Sequence, residues 1–263
     1  VLRLGAAGAA LGTTLAQAFS VLLAFWAIRR RCAFSLTRAD LRPQRPVLGQ
    51  LLRIGVPIAL QDGLIQIAFL VITVIANRRG LNDAAAVGIV EKIISFLFLV
   101  PSSMLSAVSA LGAQNIGAGK PERARQTLFY AIGIAASFGA LVGVLMQFFA
   151  EPVVAWFTDT AAENGREVVR LGGQYLRGYV WDCLFAGIHF SFRGYFCAVG
   201  RSGLSFLHNI TAIALVRVPG VYLMSRLFAD TLYPMGLATA AGSLLSVLIC
   251  LLAYALLARR RTS

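Results

Sequence analysis

Charge is scarce in this 263-residue chain: Asp, Glu, Lys and Arg make up 13% of it, against about 25% in a soluble domain. The deficit runs the whole length, which excludes an ordinary water-soluble globule. Histidine is scarcer still, with only His189 and His208. The four cysteines, Cys32, Cys183, Cys197 and Cys250, form no CxxC pair. A structural zinc site and a disulfide framework are therefore excluded, and the cysteines read as small apolar packing residues. There is no GxSxG, no HExxH and no fixed motif of paired acids, so the chain is not expected to be an enzyme. The alternating ten-residue pattern of a membrane barrel is missing too. Acid is rarer than base, 11 residues against 24, for a formal charge of +13. In a soluble protein that excess suggests nucleic acid. Here the basic residues sit between apolar runs, so a topology signal explains them and no nucleic-acid partner is expected.

What is abundant is apolar sequence: 58% of the residues, with a mean hydropathy of +0.76. A spanning helix needs about 20 mainly apolar residues. Seven stretches qualify, roughly 4–28, 52–76, 85–113, 127–149, 170–198, 204–228 and 233–258. Lipid offers no partner to backbone polar groups, so each must be a helix. The expected fold class is an all-α polytopic membrane protein with seven transmembrane helices, a six-helix bundle plus one preceding helix. The expected organisation is 1–31 as a first helix, 32–50 as a cytoplasmic linker between bundles, and 51–263 as the six-helix bundle. Pro43 and Pro46 argue against a continuous helix through the linker. Residues 150–169, with Glu151, Asp159, Glu163 and Glu167 and the breakers Pro152 and Gly165, read as an amphipathic outer loop. The chain starts at Val1, and its first apolar run is too long for a signal-peptide core; a fragment is the expectation.

Loop charge orients the spans. One side carries Arg29, Arg30, Arg31, Arg38, Arg42, Arg45, Arg53, Lys120, Arg123, Arg125, Arg193, Arg201, Arg259, Arg260 and Arg261. The other carries Arg3, Arg78, Arg79, Arg166, Arg170, Arg177 and Arg226. The basic-rich side is expected to be cytoplasmic, with the C-terminus inside.

Ionisable groups inside the spans mark candidate function. A charge at the bilayer centre costs at least about 2.5–3.5 kcal/mol on insertion scales, so such groups face a bundle interior or water. Asp62, Glu91 and Asp182 are the three acids so placed, and they are the candidates for coupling a cation. Arg217 lies mid-span and stays charged, so it is expected to pair with an intramembrane acid, Asp182 first. Gln61, Gln66 and His189 are supporting polar candidates. Gln61, Asp62 and Gln66 fall within about one turn of each other, and oxygen groups beside an acid suit a hard cation such as Na⁺. Asp182 is the expected place for a coupling Na⁺, and no metal site is expected beyond it. A lone buried histidine is more often a packing residue than a ligand, and that is the simpler reading of His189. Tyr179, Trp181 and Phe185 are candidates to line a cavity for flat organic cations by stacking and cation–π contact. Pro57, Pro101 and Pro219 interrupt spans, as breaks near transporter substrate sites do.

Several stretches are more specific: GVPIALQD at 55–62, AVGIVEK at 86–92, VPSSMLSAVSALGAQNIGAGKPERAR at 100–125, QYLRGYVWD at 174–182, RGYFCAVGR at 193–201 and VRVP at 216–219. Their order and spacing resemble the multidrug and toxic compound extrusion (MATE) family, in the half that follows its central inner loop. The resemblance covers about 45–258. GAGKP at 117–121 lacks Walker spacing and follows a membrane helix, so a phosphate loop is not its reading. The resemblance implies twelve spans in two bundles that export drugs or organic cations in exchange for Na⁺ or H⁺ by alternating access. No cofactor is implied beyond the coupling ion. The partners would be the lipid bilayer, the small-molecule cargo and a missing N-terminal bundle. The location would be the plasma (inner) membrane of a prokaryote. Members with a cation site in this half use a Glu on its first helix and an Asp on its fourth. Asp182 matches the second in helix and approximate depth; at the first, the acid here is Asp62.

Two other functions fit parts of the pattern. A lipid-linked oligosaccharide flippase of the same superfamily shares the fold, but its cavity needs several basic residues. A seven-helix receptor shares the span count; its pigment version fails because 233–258 has no Lys. The orientation is checked by fusing alkaline phosphatase or a fluorescent protein after residue 263: the fluorescent fusion is expected to be bright and the phosphatase inactive, and the reverse would invert the topology.

Overall fold

The computed structural model describes residues 5–31, 44–161 and 164–262. These are almost entirely helical, with no strand among the described residues. The helices are α1 (Gly5–Arg31), α2 (Arg45–Asn77), α3 (Leu81–Leu97), α4 (Leu99–Gly117), α5 (Pro121–Ala155), α6 (Gly165–Tyr179), α7 (Trp181–Ala198), α8 (Ser202–Ala212), α9 (Val218–Leu227) and α10 (Tyr233–Thr262). A π-helical stretch, Ile213–Arg217, joins α8 to α9. The chain divides into two compact units, Val1–Leu48 and Gly49–Ser263.

Six helical stretches among the described residues are long and apolar enough to cross a membrane: Ala10–Arg30, Arg45–Asn77, Leu81–Gly117, Pro121–Ala155, Ser202–Leu227 and Tyr233–Leu257. The chain is an all-α polytopic membrane protein. The stretch expected at 170–198 differs in kind. It is two helices, α6 and α7, that meet at Val180, whose N–H bonds the Leu176 carbonyl at 2.9 Å. The reason for its polarity is position. α6 and α7 are the inner column of the second unit, packed against α3, α4, α5 and α10. Facing protein rather than lipid, they can carry Arg177, Asp182, His189 and Arg193.

Other boundaries move for local reasons. The expected linker 32–50 is helical from Arg45; residues 32–43 lie outside the described residues. Pro46 sits in the first turn of α2, where its missing N–H costs nothing. The expected outer loop 150–169 shrinks, because α5 runs through Pro152 to Ala155 and α6 starts at Gly165. Glu151 is then a helix residue, held by Arg177 Nη2 at 3.1 Å. The span expected at 85–113 is α3 and α4, parted at Phe98. Pro101 explains the break: it has no N–H for the Leu97 carbonyl. That freed oxygen accepts the Cys183 thiol from α7, at 3.7 Å.

Helix ends on the side expected to be cytoplasmic share one device. Gly119 and Gly200 both adopt φ 72°, a left-handed conformation that glycine reaches without strain. After them, Lys120 N–H bonds the Asn115 carbonyl and Arg201 N–H bonds the Phe196 carbonyl, each at 2.8 Å. This is the six-to-one closure that satisfies orphan carbonyls at a helix end. Pro121 then opens α5.

Close helix approach rests on small residues. Along α5, Ala135, Gly139 and Gly143 recur every fourth position and face α7. A Cβ on Gly139 would stand 2.5 Å from the Leu184 Cα, and one on Gly143 would stand 3.1 Å from the Trp181 ring. Small-residue seams of this kind drive packing in lipid, where burying apolar surface gains little. Gly139→Leu is therefore expected to cost about 1–3 kcal/mol of stability by forcing α5 from α7. Gly133→Ala, which meets open space, is the control. Thermal denaturation in detergent checks both, and equal melting temperatures would remove the seam from the account.

Candidate functional site

α7 places its polar side chains by helical periodicity. Asp182, Ala186, His189 and Arg193 follow a four-three-four spacing, which lines one helix face. All four are buried. Eleven residues separate Asp182 from Arg193, about 16 Å along the axis.

At one end of that face stands an ion pair. Arg217 Nη2 donates to Asp182 Oδ2 at 2.6 Å, and the carboxylate is fully buried, with 0% exposure. The same nitrogen donates to Ser243 Oγ of α10 at 2.9 Å. The other carboxylate oxygen, Oδ1, is buried with no hydrogen-bond partner, as are the hydroxyls of Tyr175 and Tyr179. Arg217 reaches this depth through two local features. It closes the π-helical stretch, a form common at functional sites. Pro219 follows and withholds its N–H from the Leu215 carbonyl, so the regular ladder cannot pass through this turn. Opposite, α10 has no side chain in the way: a Cβ on Gly242 would stand 2.8 Å from that of Arg217.

At the other end, Arg193 Nη2 donates to Asp62 Oδ1 of α2 at 2.8 Å. The guanidinium is nearly enclosed, whereas the Asp62 side chain is 56% exposed. Between the two pairs lies His189, whose ring meets that of His208 at 5.6 Å. Nδ1 of His189 and both ring nitrogens of His208 have no partner.

The polar residues of α2 do not form the single oxygen cluster that their spacing suggests. Adjacent helix positions point about 100° apart. Gln61 turns inward and accepts from Ser205 Oγ at 3.2 Å, Asp62 meets Arg193, and Gln66 is exposed. Glu91 on α3 takes a third course: half-buried, it accepts from Thr73 Oγ1 at 3.4 Å. The three acids are thus held by three different partners. Tyr179 is enclosed in the apolar core, its ring 5.5 Å from that of Tyr175. Trp181 lies over Gly143, and Phe185 is half-buried. No group of three or more His, Cys, Asp or Glu able to hold a metal is found among the described residues.

Some participants escape sequence reasoning. Arg193 reads as a loop-flanking residue until its spacing from Asp182 is counted, and that count was the available signal. Ser243 and Gly242 carry none. Nor does Arg79, whose guanidinium binds Asp83 at 2.7 Å and the carbonyls of Ser225, Phe228 and Ala229 at 2.7, 2.9 and 2.6 Å. It ties the α2–α3 turn to the α9–α10 turn.

Residues 57–223 match the family model described as MatE. A probable multidrug resistance protein NorM of Pseudomonas aeruginosa is 30% identical over 224 residues, covering 82% of this chain and 45% of that protein. A probable multidrug resistance protein YoeA of Bacillus subtilis is 26% identical, covering 85% and 48%. The chain spans about half the length or less of these curated relatives. Among solved structures, a MATE in complex with MaL6 superposes with a TM-score of 0.88 at 20% identity, over 99% of this chain and 58% of that one. An outward-facing multidrug resistance MATE family transporter gives 0.86 at 21% identity, over 98% and 58%. These two likenesses show a shared fold.

Removing one partner of a buried ion pair strands the other, at about 3–5 kcal/mol. Arg217→Ala is expected to destabilise the chain by that order, and the double variant Asp182→Asn with Arg217→Ala to recover part of the loss. Detergent denaturation midpoints test this; a single variant as stable as wild type would show that the pair contributes nothing.

Proposed function

The chain belongs to the MatE family, and from that membership we propose that it is the C-terminal six-helix bundle, with one preceding helix, of a secondary antiporter. The whole transporter exports drugs or organic cations in exchange for Na⁺ or H⁺ by alternating access. In this reading α1 is the last helix of a preceding bundle, 32–50 is a cytoplasmic link, the membrane is the plasma membrane of a prokaryote, and the C-terminus is cytoplasmic. The names of the relatives support export of drugs, and the loop charge supports the orientation.

The observation that carries the proposal is the buried Asp182–Arg217 pair with Oδ1 left open. In a low-dielectric interior a carboxylate holds its arginine strongly. A proton or Na⁺ on Asp182 cancels the charge that holds Arg217. Na⁺ takes oxygen ligands, and Oδ1, Ser243 Oγ and the tyrosine hydroxyls are the oxygens this region offers. Once released, Arg217 must find another partner or water, and it is anchored in the π-helical turn beside Pro219. Ion binding is thereby converted into movement of α8 and α9, the differential contact that alternating access requires. The Arg193–Asp62 pair is a second tie of the same type, between α7 and α2. No catalytic residue enters this scheme.

The flippase alternative needs a basic interior for a pyrophosphate. The two arginines that pair along α7 are neutralised, Arg217 by Asp182 and Arg193 by Asp62, which favours a cationic cargo.

The test is efflux of a fluorescent cationic dye from vesicles holding the whole transporter, driven separately by Na⁺ and H⁺ gradients. One gradient is expected to drive efflux, and Asp182→Asn to abolish that dependence when efflux is normalised to the amount of folded protein in the vesicles. Wild-type efflux by the variant would remove Asp182 from coupling; no efflux under either gradient would sink the exporter reading.

A further inference from the structure

Two adjoining hollows lie where the end of α2 faces α9. One, of about 420 Å³, is walled by Leu70, Val71, Val74, Val218 and Pro219. The other, of about 360 Å³, shares Ile75, Arg78 and Tyr222 with the first and adds Arg226. Together they form a groove graded in chemistry. Its inner reach is apolar, and Leu70 and Val74 are exposed within it. Its outer reach is cationic. Arg78, one residue past the end of α2, follows Leu70 by eight positions, about 12 Å along the axis, comparable with a stretch of acyl chain.

The cations are uncommitted. Arg78 and Arg226 are exposed, and neither has an acid partner among the described residues. Arg226 lies over the Tyr222 ring at 5.6 Å and reaches that hydroxyl at 3.4 Å, which leaves its other N–H groups free to donate. The neighbouring acid, Asp83, is taken by Arg79, and Arg79 spends its remaining donors on carbonyls. Two guanidinium groups above an apolar trough complement an amphiphile with an anionic head. Guanidinium binds phosphate oxygens in a fork, and it repels the ammonium of a zwitterionic head.

We infer that the α2–α9 groove binds an anionic phospholipid, its phosphate between Arg78 and Arg226 and one acyl chain along Leu70, Val74 and Pro219. The walls Val218 and Pro219 follow directly on the turn that presents Arg217 to Asp182, so the bound lipid braces that turn.

The experiment is native mass spectrometry of the detergent-solubilised whole transporter, equilibrated with equal phosphatidylglycerol and phosphatidylethanolamine. One phosphatidylglycerol per chain is expected to survive delipidation in preference to phosphatidylethanolamine, and its addition to raise the melting temperature. R78A/R226A alters only exposed side chains and is expected to weaken retention by about thirtyfold, from two surface cations. V74W fills the trough with both arginines intact and is also expected to lose the lipid. Equal retention of the two lipids by wild type would overturn the inference. So would undiminished retention by R78A/R226A, or by V74W, the last meaning that a phosphate group alone is bound. None of these readouts uses transport, so their failure leaves the antiporter reading standing.

Discussion

An arginine and an aspartate buried together inside a membrane protein constrain everything around them. Neither Asp182 nor Arg217 can reach water easily, and each is costly if left alone. The pair therefore dictates that α7 face inward, since a carboxylate with no exposure cannot sit on a lipid-facing helix. It dictates the small residue at Gly242, where any side chain would collide with the arginine. It also makes use of the π-helical turn, whose altered register brings Arg217 round to its partner. A single 2.6 Å contact thus connects the sequence of three segments, α7, the turn before α9, and α10.

The same logic explains why the most polar helical stretch is the most enclosed. α6 and α7 would insert poorly as a lipid-facing span, carrying Arg177, Asp182, His189 and Arg193. Surrounded by α3, α4, α5 and α10 they need not do so. Surrounding them closely requires small residues at the crossings, and α5 supplies Ala135, Gly139 and Gly143. Polar function and glycine seams are two sides of one packing solution: side chains that gain little from lipid are held by neighbours that come near enough to partner them.

Two ion pairs on one face of α7 differ in their surroundings. Asp182 is sealed and Asp62 is open. The sealed carboxylate feels the full effect of losing its charge, because a dry surrounding strengthens each interaction. His189 and His208 lie between them with unfilled ring nitrogens, so the column is polar along much of its length while its surface remains apolar.

Much of this was legible without coordinates. Composition and run length require helices in lipid, because no other structure there satisfies the backbone. The turn at Gly119 follows from local chemistry alone: a residue free to adopt a left-handed conformation, then a basic residue at the surface. Arg217 demanded an acid, since its charge cannot be titrated away. Tertiary structure decided what depends on the rotation and distance of neighbouring helices. It turned Gln61 inward to Ser205 and left its neighbour Asp62, with Gln66 one turn further on, exposed. It gave Asp62 to Arg193, enclosed Tyr179, and divided the 170–198 stretch at Val180. Periodicity states which residues share a face; only packing states what that face meets.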